Sequence, residues 1–414
     1  MLDTDILITG AGSAGLTLAL LLAKNCPDLP ITVLEQGPAP VAGPAQLNRV
    51  SALNLASQRV LESLGVWQLL TAKPAYQQMQ VWEADSFARI EFATKDLGAL
   101  DAAAMSGDAA LGWIVDNEEL RSCLYQRALQ YPSIQWKFDA RITQISASER
   151  QNLLTLDDGS AYISKLLVGA DGANSMVREQ LKMPLAFWDY DHHGLVAVVR
   201  TSEPHQATAR QVFLPTGPLA LLPLSDPHLV SIVWSVAPER AVELIALAPE
   251  QFNQALTAAS QSVLGVLAVQ SERRSYPLKM RYASQWLKHN AVLVADAAHT
   301  IHPLAGQGMN LGLMDVCALA ELIVQNISTG RTCNEQRMLR QYARWRKAEA
   351  QQMIALMEAF KRGFMLQHPL AKLVRAVGMA ATNQLAPVKR QLLAAALGNQ
   401  GDLPAVARPG VISL

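Results

Sequence analysis

Apolar residues first run together at Ile6-Leu7-Ile8, the length of a buried strand. Glycines at positions 10, 12 and 15 interrupt the run, and Leu16 to Asn25 then carries an almost unbroken apolar helix. A second strand, Pro30 to Leu34, stops at Glu35. Strand, glycine turn, helix and strand make a βαβ unit, the short route between two parallel strands. Period two then takes over. Met79 to Ala84 and Ala88 to Ala93 alternate around Asp85-Ser86-Phe87 and predict a hairpin. Residues 98–110 read as a loop, and Asn117 to Gln130 as a helix capped by Asp116 or Asn117. Leu153 to Leu156 and Ser164 to Val168 flank Asp157-Asp158-Gly159 as strand, turn and strand. A second glycine-rich turn, Gly169-Ala170-Asp171-Gly172-Ala173-Asn174-Ser175, leads to Arg178.

The pattern changes from residue 186 to residue 275. Leu195 to Arg200, Arg210 to Leu214, Leu219 to Leu222 and Leu229 to Val236 predict antiparallel strands joined by Pro-rich turns, with a helix at Pro249 to Val263. Ala291 to Val294 predicts a buried strand that returns to the first sheet, and from Asn310 to about Gly398 the chain reads as helix.

Two loops carry the chemistry. In Gly10-Ala11-Gly12-Ser13-Ala14-Gly15, Gly10 allows a tight turn, Gly12 lets the backbone approach a pyrophosphate, and Gly15 lets helix and strand pack. The helix start offers N–H donors and partial positive charge to phosphates. Glu35, 20 positions beyond the last glycine, can accept from a ribose diol. Far downstream, Val294 to Gly312 reads as a strand ending at Asp296, a Pro/Gly loop and a helix start. A carboxylate and free N–H groups at a second site suit a long two-ended cofactor, FAD. No second fingerprint is present, which suits NAD(P)H binding transiently in a groove.

Composition narrows the classes. The 414 residues are 50% hydrophobic and 17% charged, with 35 basic and 35 acidic side chains. Zero net charge speaks against nucleic-acid binding, which needs a basic surface. Cys26, Cys123, Cys317 and Cys333 form no C-x-x-C and no metal pattern, so reduced thiols and no metal site are expected. Met1-Leu2-Asp3-Thr4-Asp5 lacks the basic start of a secretion signal. The run Leu16 to Ala23 is shorter than the ~20 apolar residues of a membrane span. The expected location is cytoplasmic.

The glycine fingerprint with Glu35, the Gly169 to Gly172 turn with Arg178, and the Asp296 to Gly312 segment together resemble the single-component aromatic flavoprotein monooxygenases of the p-hydroxybenzoate hydroxylase fold. Asn48 to Leu53, Phe187-Trp188-Asp189-Tyr190 and Pro223 to His228 resemble the ubiquinone-biosynthesis hydroxylases, in particular the 2-polyprenylphenol 6-hydroxylase branch. The resemblance implies an α/β fold: a Rossmann-like FAD-binding domain, an inserted α+β substrate domain and a helical C-terminal region. FAD-binding parts are expected at 1–75, 108–185 and 276–335, a substrate-domain hairpin at 76–107, the substrate domain at 186–275 and the helical region at 336–414. It also implies hydroxylation of a lipophilic phenol by FAD, NAD(P)H and O2 through a flavin C4a-hydroperoxide, with other ubiquinone-biosynthesis proteins as partners. A different ring position, a soluble phenol, a reductase that inserts no oxygen and a flavin-bearing subunit without turnover are the alternatives. No Trp-x-Trp-x-Ile-Pro segment of the halogenases occurs.

By the same resemblance Asp296 binds the ribityl chain, and Gly306, Gln307, Gly308, Met309 and Asn310 bring backbone N–H groups to the flavin N1/C2 carbonyl edge. Pro303 lies against the isoalloxazine. Arg49 meets the phosphates or the flavin rim, or stays on the surface, and Arg121 reaches the cofactor from its helix. Asp171 and Arg178 match the segment shared by FAD and NAD(P)H, although Asp171 would also suit a turn cap. His299 is the candidate base for the phenol proton, with satisfaction of backbone groups as the other reading; His192, His193 and His302 are weaker candidates. Trp188 and Tyr190 line the substrate cavity or pack in the core. One position departs from the family: Ala295 stands where glycine is usual, and its methyl fits if φ is negative. Finally, residues 359–401 contain no Asp or Glu, while Lys361, Arg362, Lys372, Arg375, Lys389 and Arg390 alternate with apolar residues. That pattern suits peripheral docking on the anionic inner membrane, or a basic tail packed on the FAD domain.

Overall fold

Five parallel strands form the sheet that the βαβ pattern predicts. Across it run Ala291–Leu293, Ala161–Gly169, Leu2–Thr9, Ile31–Leu34 and Ile134–Lys137. This computed structural model describes residues 2–41, 43, 47, 49–87, 89–97, 109–300, 307–365, 378, 382–383, 385–399, 401–411 and 414. The hairpin Ile142–Ala147/Asn152–Leu156 adds antiparallel to the start of Ala161–Gly169, leaving that strand's end to pair with Ala291–Leu293. The helix Ser13–Asn25 covers the sheet. Leu16, Leu18, Leu20, Leu21 and Leu22 are at most 1% exposed. Burial all round explains why no polar face is needed. Each such leucine contributes about 1.5–3 kcal/mol.

The helix Gln307–Ser328 packs against Ser13–Asn25. Its window Gly308–Ser328 is long and apolar enough to cross a membrane, with mean hydropathy 1.4, but 67% of that window is buried inside the fold. Its apolarity is therefore explained by core packing. Gln336–Met365 lies antiparallel beyond it, and Ala386–Ala396 closes the helical region.

A nine-stranded sheet forms the second layer. Its central strand, Leu185–Thr201, begins ten residues before the strand predicted at Leu195. A bulge between Asp189 and His192, with Asp191 at φ 49°, breaks the alternation there and hid the extension. The strand Arg274–Ala283 runs through position 275 and pairs along Leu185–Val196, so the sheet continues past the expected boundary. The predicted hairpin forms as Gln78–Glu83 and Arg89–Ala93, and it joins this sheet by parallel pairing with Thr208–Leu214. Two helices depart from expectation. Pro238–Ala246 was not anticipated, although Pro238 at its first turn is a start signal. Pro249–Ala259 ends before Val263, because Gln261 and Ser262 both take φ 54°. A small sheet of Val50–Leu53, Gly112–Asp116 and Ala75–Tyr76 lies between the two layers' chains.

Candidate functional site

The first strand delivers Gly10 to the end of the parallel sheet. Gly10 has φ +99°, and a Cβ there would strike the carbonyl of Ala170. That contact places the fingerprint directly on the second glycine turn. Gly12 occupies the N-cap of Ser13–Asn25 without a side-chain cap, so the N–H groups over Ser13, Ala14 and Gly15 keep their donors for a ligand. Glu35 Oε2 accepts from Ala11 N at 2.6 Å and Oε1 from Gly37 N at 2.9 Å. Each oxygen has a second lone pair for a diol. Arg121 Nε donates to Ala11 O at 2.8 Å, and its Nη2 lies 3.9 Å from Glu35. Arg121 thus reaches the fingerprint from the helix Asn117–Ala128, which Asp116 caps by accepting from Glu118 N and Glu119 N.

The second turn is a cap and a strut. Asp171 Oδ2 accepts from Val177 N at 3.1 Å at the start of the helix Met176–Gln180, while Oδ1 is buried with no hydrogen-bond partner among the described residues. Burial raises its carboxyl above the ordinary range. Arg178 donates from Nη1 to Ala297 O and from Nη2 to Ala173 O, both at 2.8 Å. It ties this turn to the Asp296 segment.

That segment leaves the sheet at Leu293 and makes one 3₁₀ turn, Ala295–Ala297, before the strand His299–Thr300 joins the second layer by pairing with Arg281 and Tyr282. Ala295 has φ +51°, against the negative value expected. The turn demands left-handed backbone, and its methyl is accommodated because residue 312 is glycine: a Cβ on Gly312 would lie 2.8 Å from the Ala295 Cβ. Burial raises the Asp296 carboxyl, and the nearby charges of His299, Arg49 and Arg281 offset part of that rise. Arg49 is exposed and is followed by the strand Val50–Leu53.

His299 does not lie open to a substrate. The ring is 1% exposed, stacks on Trp286 at 5.2 Å, and its Nε2 is 2.6 Å from Asp315 Oδ2. A phenol base needs an accessible nitrogen, so the placement makes His299 a support under the turn. Asp315 also accepts from Arg346 Nε at 2.9 Å and from Ala295 N at 3.2 Å. Burial pushes Asp315 upward, but His299 and Arg346 outweigh it and leave the carboxyl below its ordinary range. Asp315 and Arg346 were missed in the sequence. Asp315 carried a signal, being the one charge in the apolar run Leu311 to Ala320. Arg346, in a helix with many cations, carried none.

Asn310 is committed through its side chain. Its Oδ1 accepts from Asn54 N and Ser57 Oγ, and its Nδ2 donates to Ala52 O. The side chain knits two elements. Met309 packs on the core. Gln307 and Gly308 begin the helix as predicted. Pro303, Gly306 and His302 lie outside the described residues, as does the side chain of Tyr190. Trp188 is 55% exposed, so core packing is excluded for it. His192 Nε2 contacts Thr216 O on the outside of the sheet.

Glycine loop, second turn and Asp296 turn therefore meet along one edge of the parallel sheet, as a two-ended nucleotide requires. The FAD binding domain family matches residues 3–357. The chain is 33% identical to the mitochondrial ubiquinone biosynthesis monooxygenase COQ6 of Xenopus tropicalis, covering 94% of this chain and 92% of that protein. It is 34% identical to the 3-demethoxyubiquinol 3-hydroxylase of Escherichia coli K12, covering 95% and 98%. This chain belongs to the FAD-dependent ubiquinone-biosynthesis hydroxylases. The p-nitrophenol 4-monooxygenase of Pseudomonas putida shares the fold at TM-score 0.77 and 16% identity over 96% of this chain and 99% of its own.

In a member of this family, the residues present fit FAD. The backbone passes close at Gly10, the helix at Gly12 is uncapped, and the Asp171 Oδ1 and Asp296 carboxyl groups are held at the same edge. NAD(P)H is the co-substrate of the class.

Proposed function

We propose that this protein hydroxylates a ring carbon of a prenylated phenol, with NAD(P)H and O2 as co-substrates. The observation that carries the reading is the meeting of the Gly10 loop, the Asp171 turn and the Asp296 turn at one edge of the parallel sheet, in a chain 33–34% identical to ubiquinone-biosynthesis hydroxylases over most of its length. An apolar cluster joins the two sheets: Ile114 of the three-stranded sheet packs with Val198 of the long sheet and with Leu224, just after the strand Gly217–Pro223, and Val50 and Tyr76 lean on it. Bound FAD supplies the redox chemistry, accepting hydride from NAD(P)H and activating O2. The chain's part is to bind, orient and exclude water. The glycine loop takes the phosphates, Glu35 the ribose, Arg121 holds the loop, and Asp296 takes the ribityl chain.

The test uses purified protein. It should be yellow, oxidise NAD(P)H quickly only when a prenylated phenol is added, and yield a product heavier by one oxygen atom. A strain lacking the protein should accumulate a prenylated phenol short of one ring hydroxyl. Reduction without oxygen incorporation would instead assign a reductase.

Such a substrate resides in membranes, and peripheral contact is part of the proposal. Leu385 is 53%, Val388 41% and Leu392 38% exposed. Their spacing of three and four places them on one side of Ala386–Ala396 and its cap. They continue the acid-free, basic segment of the sequence, and together these suit an anionic lipid surface at the inner membrane. Binding to anionic liposomes is expected to fall at least about tenfold, and flotation to be lost, when Lys361, Arg362, Lys372 and Arg375 become Glu, since each basic side chain near the surface is worth about 1 kcal/mol. Unchanged flotation rejects the contact.

A further inference from the structure

The polar anchors of the Asp296 turn come largely from elements remote from the cofactor. Tyr342 Oη donates to Leu293 O at 3.0 Å, just before the turn. One helical turn later on Gln336–Met365, Arg346 binds Asp315. Asp315 then gathers Ala295 N and His299 Nε2, the two ends of the turn, on a single oxygen. Asp315 is 0%, His299 1% and Arg346 3% exposed. Burial at that level makes each charge dependent on its partner: an unpaired carboxylate would be strongly disfavoured there. Ala295 meanwhile holds a left-handed conformation that costs an L-residue free energy. Strain of that kind persists only where surrounding contacts over-determine it.

We propose that Asp315 and Arg346 are positioning residues of the FAD site, and that the helix Gln336–Met365 sets FAD affinity by holding the Ala295–His299 turn in its strained form. Arg346 keeps Asp315 ionised, Asp315 keeps both ends of the turn, and the turn presents Asp296. Gly312 belongs to the same device, since it leaves room for the Ala295 methyl. The inference rests on Asp296 facing FAD.

The test is FAD titration of apoprotein by flavin fluorescence, with apoprotein thermal unfolding measured beside it. Arg346→Gln should weaken FAD by about tenfold or more, and Arg346→Lys by less, because loss of a buried charged hydrogen bond is propagated to the turn. Gly312→Ala should weaken FAD similarly without removing any charge. Adding Ala295→Gly should restore FAD affinity in both cases, by releasing the strain in one and the methyl contact in the other. A loss through general packing damage would not be repaired by deleting that methyl. If Arg346→Gln does not fold, Arg346→Lys alone and with Ala295→Gly takes its place, and the Gly312→Ala and Ala295→Gly pair tests the turn beside it. Wild-type affinity in Gly312→Ala, or a loss that Ala295→Gly fails to repair, overturns the proposal. Asp296→Ala separates the two readings: if it binds FAD normally while Gly312→Ala does not, the assignment of Asp296 falls and the turn's role stands.

Discussion

Asp296→Ala is expected to weaken FAD binding by about 10–150-fold and to yield nearly colourless protein, the loss of one charged hydrogen bond at about 1.5–3 kcal/mol. Flavin absorbance per mole of purified protein, followed by titration of the apoprotein, measures it. The same residue works against stability. Burial raises its carboxyl above 3.8, so between that value and the raised one the folded state holds a proton that the unfolded state has released. Stability therefore falls as pH rises through that window. Asp296→Asn should then raise the apoprotein's Tm at pH 7, and raise it less towards pH 4, while still binding FAD more weakly than wild type. A more stable apoprotein with a poorer cofactor site is the mark of a carboxylate kept for binding. Normal flavin occupancy in Asp296→Ala would remove Asp296 from the site.

Gly10→Ala should be strongly damaging. The added Cβ meets backbone, not a movable side chain, at Ala170, and φ +99° is strained for any L-residue. Backbone strain of this kind costs about 1–3 kcal/mol, and displacing the second glycine turn adds to it. Little soluble holoprotein is expected, with FAD occupancy falling before secondary structure does. Tm and flavin content of the surviving fraction are the measurements, and a wild-type Tm with full flavin would show that the two turns do not bear on each other.

Local elements were readable wherever neighbours in sequence do the work. Leu16 to Ala23 is apolar on all sides, and the structure buries it. Glu35 follows its strand at the distance the fingerprint sets, and its carboxylate accepts from Ala11 N. Hairpin 78–93 showed in its alternation. What alternation cannot reveal is the partner: Gln78–Glu83 lies parallel to Thr208–Leu214, far away in the chain. Nor could it show a strand whose period slips at a bulge, as between Asp189 and His192.

The division at the site has the same physical origin. Residue types at Gly10 to Gly15, Glu35 and Asp296 named the cofactor, because its phosphates and diols need those groups at those spacings along one βαβ unit and one strand end. The support beneath them needed the folded chain. His299 and Asp315 are 16 residues apart and Asp315 and Arg346 are 31 apart, distances at which no helical or strand period relates side chains. Their ion pairing arises from three elements packed into one dry interior, where each buried charge had to find its opposite, and that packing turned a suspected proton acceptor at His299 into a brace.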